Sequence, residues 1–360
     1  MGLSAVAKRG LGGRVGGARI ARTASNKLRA SAASVVAIAF SAAMALGAHL
    51  SRATAAVMPP TLAPVARDSL VLVSASPTHV TMRNVDFHVA EGVLLRIAML
   101  DGHMQSVKHG VVDFDDKRSY ILNIDTGMVT LAPSDLSNLM NHFVFAYSGA
   151  PLSNLSVTVR GDQLGLKGTL HKGVDIPFDI TSTVSLTPDQ KMRIHPTKMR
   201  IFSVNGLTLM HALGLNLKKM VDVSKAKGVA VDGNDLILEP LVVLPPPTIR
   251  GHFVALRVEH GGLTQYFGPA LDGAPSPSTS VPDTTLSNYM VYRGGTLHFG
   301  KLYMTDAELI VVDEDARDPF DFDNDHYQRQ LIAGHSRTLP TLGLEVYMPD
   351  AAKLSRSGGP

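Results

Sequence analysis

The sequence predicts an exported α+β protein: an antiparallel β-sheet with one or two amphipathic helices, preceded by an N-terminal transmembrane or signal helix. Three observations carry this. The first 55 residues hold eight basic side chains and no acidic one, and they include a long uncharged run. From residue 70 onward, short alternating runs follow one another with Gly, Asp and Asn turn signals between them, the pattern of strands joined by tight connections and not of βαβ units. Only two stretches, beginning at Pro133 and near Asn205, carry an apolar stripe on a 3.6-residue period.

The leader comes first. Lys8, Arg9, Arg14, Arg19, Arg22, Lys27 and Arg29 precede residues 30–51, which carry no charge, and Arg52 closes the run. At about 1.5 Å rise per residue this segment is long enough to cross a hydrocarbon core. Its Ala, Ser and Gly content and the small residues Ala53-Thr54-Ala55 suit a cleaved signal, while the long basic lead suits a retained anchor. Both place the remaining chain in the periplasm, beside a membrane.

With the leader cations set aside, 26 Lys and Arg face 31 Asp and Glu, so the exported part is mildly acidic and lacks the footprint of a nucleic-acid-binding surface. The chain has no cysteine, which removes disulfides, thiol nucleophiles and Cys-ligated metals, and leaves the hydrophobic core to hold the fold. Hydrophobic residues make up 45% of the chain and aromatics only 6%, so its apolar surfaces are aliphatic and suit acyl chains.

Residues 57–67, with three prolines, read as a linker. Val85, Phe87 and Val89 alternate with polar neighbours, as do Leu95, Ile97 and Met99, with Asp101-Gly102 as the following turn signal. Residues 111–114 and 120–124 continue the series, and Asp125-Thr126-Gly127 reads as a turn into residues 128–131. A helix then starts at Pro133 with Ser134 as N-cap. Its stripe is Leu136, Leu139, Met140, Phe143, Val144 and Tyr147, and Gly149 and Pro151 end it. Strands follow over 155–159, 164–170, 176–180 and 191–201.

The second helix, from near Asn205, has Leu209, Met210, Leu213, Leu217 and Met220 as its stripe, with lysines toward its C-terminal side. Each helix leads into the same pattern: Val157-x-Val159-x-Gly161 after the first, Val229-x-Val231-x-Gly233 after the second, which reads as a hairpin used twice. Residues 236–244 are almost all apolar and read as a strand ended by Pro245-Pro246-Pro247. Residues 248–259 and 263–267 form the next pair around Gly261-Gly262. A Pro/Ser-rich linker over 269–287 precedes a β meander over 288–350, and 351–360 read as a disordered tail.

Catalytic motifs are missing. The fourteen histidines are scattered without metal-ligand spacing, and His211 sits on the second helix between Met210 and Ala212. Asp321-Phe322-Asp323-Asn324-Asp325 opens like a calcium loop but has His326 and Ile332 where an EF-hand needs Gly and Glu. No G-x-S-x-G elbow or P-loop occurs. The expectation is a non-enzymatic protein with no cofactor and no metal.

Between Asn205 and Phe267 the chain runs N-G-L-T-L-M-H-A-L-G-L, V-A-V-D-G-N-D-L-I-L-E-P, L-P-P-P-T-I-R-G and V-A-L-R-V-E-H-G-G-L-T-Q-Y-F-G. In order and style of elements, this resembles the periplasmic phospholipid-binding family associated with mannan and lipoglycan synthesis in mycobacteria, and more loosely the TULIP lipid-binding proteins. The resemblance covers about residues 85–268. It implies a long curved antiparallel sheet wrapped around helices, and binding of phospholipid or a similar amphiphile without turnover. Residues 68–268 are then the lipid-binding-like domain. Its candidate groove residues are Leu136, Leu139, Met140 and Phe143 on the first helix and Leu209, Met210, Leu213 and Leu217 on the second, although core packing accounts for each of them taken singly. The alternative expectation is an envelope scaffold with no ligand cavity.

Overall fold

The computed structural model describes residues 76–108, 110–201, 204–205, 216–269 and 286–357. They belong to one compact unit, Ala66–Pro360. Strand accounts for 56% and helix for 11%, which makes the fold a sheet-rich α+β. Among the described residues no helix is long and apolar enough to cross a membrane. The basic leader with its expected anchor or signal, and Leu209, Met210, His211 and Leu213, lie outside the described residues.

Strands β1 (Thr78–Ala90) and β2 (Val93–Ser106) form a long hairpin turned at Glu91-Gly92; β3 (Val112–Asp113) is a short link, and β4 (Tyr120–Leu131) returns along β2. Along β1 the side chains of Val80, Met82, Val85, Phe87 and Val89 are buried, giving the sheet one apolar face. Neither Asp101-Gly102 nor Asp125-Thr126-Gly127 is a turn: both lie inside these strands, paired Asp101↔Thr126 and Leu100↔Gly127. They meet at the second of two β2–β4 register shifts, at Asp101/Gly102, where Asp125 is skipped; the first lies at Ile97/Met99. The first shift breaks the alternation, so Met99 is 39% exposed while Leu100 takes the buried place.

Helix α1 (Pro133–Leu139) begins where expected, but Ala132, not Ser134, occupies the N-cap. Asp135 supplies the capping acceptor, taking the Ala132 amide at 3.1 Å. Past Leu139 the chain widens into a π-helical turn, Met140–Val144, which takes the stripe off the 3.6 period. Phe143 is 41% exposed as a result, and Tyr147 lies beyond the helical turns.

The second sheet is a meander of β5 (Leu152–Arg160), β6 (Gln163–His171), β7 (Asp175–Leu186) and β8 (Met192–Ile201), with β9 (Val204–Asn205) paired to β8. Of the second expected helix, the described part is α2 (Leu217–Met220). Strands β10 (Val229–Asp232) and β11 (Asp235–Leu238) complete the order β10-β11-β8-β7-β6-β5. The two Val-x-Val-x-Gly segments form hairpins at opposite edges of this sheet. Each closes on a two-residue turn, Gly161-Asp162 or Gly233-Asn234, with φ of +66° and +60° at the glycines.

Residues 236–244 do not form one strand. After β11 the Glu239 carbonyl accepts the Val242 and Val243 amides, and Pro240 has no N–H for a ladder, so the apolar run becomes a turn-rich segment ending in the three prolines. The expected strand over 248–259 is likewise two, β12 (Thr248–Gly251) parallel to β4 and β13 (Phe253–Glu259) antiparallel to β14 (Gly262–Phe267).

The C-terminal strands join the first sheet. They are β15 (Tyr289–Arg293), β16 (Thr296–Phe299), β17 (Leu302–Thr305), β18 (Glu308–Asp313) and β19 (Phe320–Asp323), then, after helix α3 (Tyr327–Ala333), β20 (His335–Thr338) and β21 (Leu344–Met348). The order β13-β14-β4-β2-β1-β15-β18-β21-β20 results, with β12 beside β4 and β19 beside β1; β17-β16-β3 is a small third sheet. Residues 351–357, expected as part of a disordered tail, are the helix α4 (Ala351–Ser357), held by the Asp321 carboxylate on the Ala352 amide (2.9 Å) and by Lys353 between Asp315 (2.8 Å) and Asp350 (2.6 Å).

Candidate functional site

Two apolar hollows lie under the two large sheets. The first faces the inner side of β1, β2 and β4, where Met82, Leu95, Leu100 and Ile124 form the ceiling and Leu241, Leu244 and Pro247 of the turn-rich segment form the floor. Its space between atom surfaces is about 600 Å³ with the mouth included, but the centre of a water molecule fits in only about 30 Å³ of it. One water needs about 10–15 Å³ on that second measure, so this is a narrow slot and not an open tunnel. Gln265, 4% exposed, and the tyrosines Tyr120 and Tyr292 are its polar lining residues.

The second hollow lies against β6, β7 and β8. Leu166, Ile176, Phe178 and Ile194 line it from the sheet, and Leu217 and Met220 line it from α2. The corresponding volumes are about 710 and about 70 Å³.

Each slot abuts a polar recess. Phe114 borders both the first slot and a wide, open recess in which the centre of a water molecule fits in about 710 Å³, and Pro245 and Pro246 of the recess continue into Pro247 of the slot. The recess is built by the β3–β4 connection (Asp115 to Arg118), by Phe143 of the π turn, and by the residues from Asn324 to Arg329 around the start of α3. An aromatic cluster fixes its back wall: Phe114 meets Phe299 at 5.1 Å and Tyr292 at 5.4 Å, both edge-on, and Phe299 meets Tyr327 at 4.5 Å. Tyr327 accepts the Gly300 amide (2.7 Å) and donates to Asp115 (2.5 Å); burial first, then the Asp115 carboxylate, push its phenol well above the ordinary range. The second slot shares Leu152 and Met220 with a recess that holds His171, Lys172, Asp222 and Lys225.

The acids of the first recess are engaged. Asp115 also accepts from Gln328 (2.9 Å), Lys117 pairs with Asp325 (2.5 Å), and Asp116 pairs with Lys108 (2.7 Å) outside the lining. Arg118 and Arg329 have no ion pair or side-chain hydrogen bond with a described residue. Asn324 is 2% exposed, and neither its amide nitrogen nor its oxygen has a hydrogen-bond partner among the described residues. Such a buried, unsatisfied amide costs free energy that a bound group restores.

Three ligand-type atoms of Asp113, Asp115 and His298 lie within 4.8 Å of one another. Local structure explains them: Asp113 accepts the Asp115 amide (2.9 Å) and pairs with His298 (2.9 Å) across β3 and β16.

Of the residues expected in a groove, Leu217 lines an apolar hollow and Phe143 lines the polar recess. Leu136, Leu139 and Met140 are in the hydrophobic core and are not lining residues of either hollow; Leu139 is 3% exposed. The slot residues on β1, β2 and β4 and the turn-rich floor were missed. Their alternation was visible in the sequence, but it marks a buried face without showing what lies opposite. No protein-family model matches the chain, and neither a curated protein nor a solved structure is similar to it at a significant level.

Proposed function

We propose that this chain binds a phospholipid or another long-chain amphiphile in the periplasm, at the membrane, taking the acyl part into the slot under β1, β2 and β4. One observation carries the reading: an apolar slot and a charged recess meet at Phe114 and Pro245 to Pro247, the juxtaposition a molecule with a greasy chain and a polar head requires. Burial contributes about 0.8 kcal/mol per CH₂, so a short stretch of chain suffices for firm binding without polar contacts. The resemblance of residues 85–268 to the phospholipid-binding and TULIP proteins supports the same reading, as does the basic leader. Because the slot is narrow, entry of a chain displaces the floor, Leu241 to Pro247, which has turns in place of strand or helix.

Native mass spectrometry of the full chain, extracted in mild detergent and then offered labelled lipid in vesicles, tests the proposal. Co-purifying lipid or uptake from vesicles is expected. Protein that is empty and stays empty rejects it. The narrowness of the slot favours a second reading, a scaffold module whose core is filled by its own side chains, and an empty protein that captures no lipid is its signature.

A further inference from the structure

The recess beside the slot selects among amphiphiles. Three cations line it, Lys117, Arg118 and Arg329, against the carboxylates Asp115, Asp116 and Asp325. Every one of those carboxylates is already engaged, one of them by Lys108 from outside the lining, and Lys117 is spent on Asp325 and the Val89 carbonyl (2.9 Å). The exposed guanidiniums of Arg118 and Arg329 make no ion pair with a described residue, although Arg118 lies near enough to Asp116 to attract it and Asp115, held by the neutral Tyr327 and Gln328, keeps its charge. A guanidinium offers a planar fork of donors that matches phosphate or carboxylate oxygens. Asn324 is independent of this charge argument. Its amide is buried, lines the same recess, and leaves both a donor and an acceptor unfilled. An amide in that state fits a group that accepts one hydrogen bond and donates another, such as a phosphate with a hydroxyl on its ester.

Resting on the lipid-binding reading, we infer that the recess receives an anionic head group, a phosphate or a carboxylate, of the amphiphile whose chain enters the slot. Arg118 and Arg329 supply the charge, and Asn324 supplies neutral hydrogen bonds at the inner wall. Phe114, shared by slot and recess, marks the junction between chain and head.

Isothermal titration of the full chain with dodecyl phosphate, dodecyl maltoside and inorganic phosphate tests this, below the micellar concentration of each amphiphile. Dodecyl phosphate is expected to bind about tenfold more tightly than the maltoside and than inorganic phosphate. In Arg118→Gln/Arg329→Gln the advantage over the maltoside disappears while maltoside binding is unchanged; both side chains are exposed, so the fold is kept. Asn324→Asp, nearly isosteric, weakens dodecyl phosphate alone. Retention of the phosphate preference in the double-arginine variant overturns the inference. Inorganic phosphate binding as tightly as dodecyl phosphate also overturns it, because the recess then serves a free anion. Failure of both amphiphiles to bind rejects the lipid-binding reading and the head-group assignment with it, an outcome distinct from maltoside binding without phosphate preference, which rejects the head-group assignment alone.

Discussion

The side-chain amide nitrogen of Asn288 donates to a carboxylate oxygen of Asp313 across 3.1 Å, and both residues are buried. Asn288 immediately precedes β15 and Asp313 ends β18, so the bond ties the entry of one strand to the exit of its neighbour. The same nitrogen faces the Asp315 and Asp318 carbonyls, and the Asn288 oxygen accepts from Asn84 at 2.7 Å. Asn288→Ala removes the hub and leaves several buried groups unpaired. A loss of about 2–3 kcal/mol is expected in urea unfolding.

Asp313 gives stability a pH dependence. Burial pushes its carboxyl up to about 6 from the ordinary 3.8, against the opposing hydrogen bonds from the Asp315 amide and Asn288. Between those two values the folded state holds the proton and the unfolded state releases it, so stability falls as pH rises through this window and the penalty is complete above about pH 6. Urea midpoints measured from pH 4 to 7 should show this component, roughly 2 kcal/mol, in the wild type and lack it in Asp313→Asn.

Gly102 is required by the β2–β4 crossing. A Cβ there would lie 2.2 Å from the Asn123 carbonyl oxygen, which is backbone and cannot swing aside. Gly102→Ala is expected to cost about 3 kcal/mol. Gly161→Ala has open space around it and meets only the strain of its positive φ, about 1 kcal/mol. Parallel thermal melts of the two variants check the order.

Asp135 holds the start of α1. Its buried carboxylate accepts the Ala132 amide at 3.1 Å and the Leu94 amide at 3.3 Å, and it pairs with Arg96 at 2.8 Å. Asp135→Ala should destabilise the protein by about 2 kcal/mol, read from denaturant unfolding. Arg96→Gln should cost less, since that side chain is half-buried, 41% exposed, and the two backbone amides still hold the carboxylate.

Leu244 is partly buried on the floor of the first slot. Leu244→Arg places a charge where an acyl chain would pass. Vesicle uptake of labelled lipid is expected to fall at least about tenfold, while the melting temperature shifts by only a few degrees.

The sequence by itself determined the sheet-rich class, the start of the helix at Pro133 and the two Gly-turned hairpins. Each of these rests on interactions within a few residues: alternation along a strand, a proline at a helix start, a glycine able to take positive φ. It misread Asp101-Gly102 and Asp125-Thr126-Gly127 as turns, because a glycine at a close strand crossing and a glycine in a turn look alike until the partner strand is known. The π turn that exposes Phe143, the folding of residues 240–247 beneath the first sheet, and the meeting of slot and recess at Phe114 were decided only by tertiary structure. They depend on contacts between segments far apart in the chain, such as Tyr327 on Asp115, and local pattern carries no record of which distant surface a residue will face.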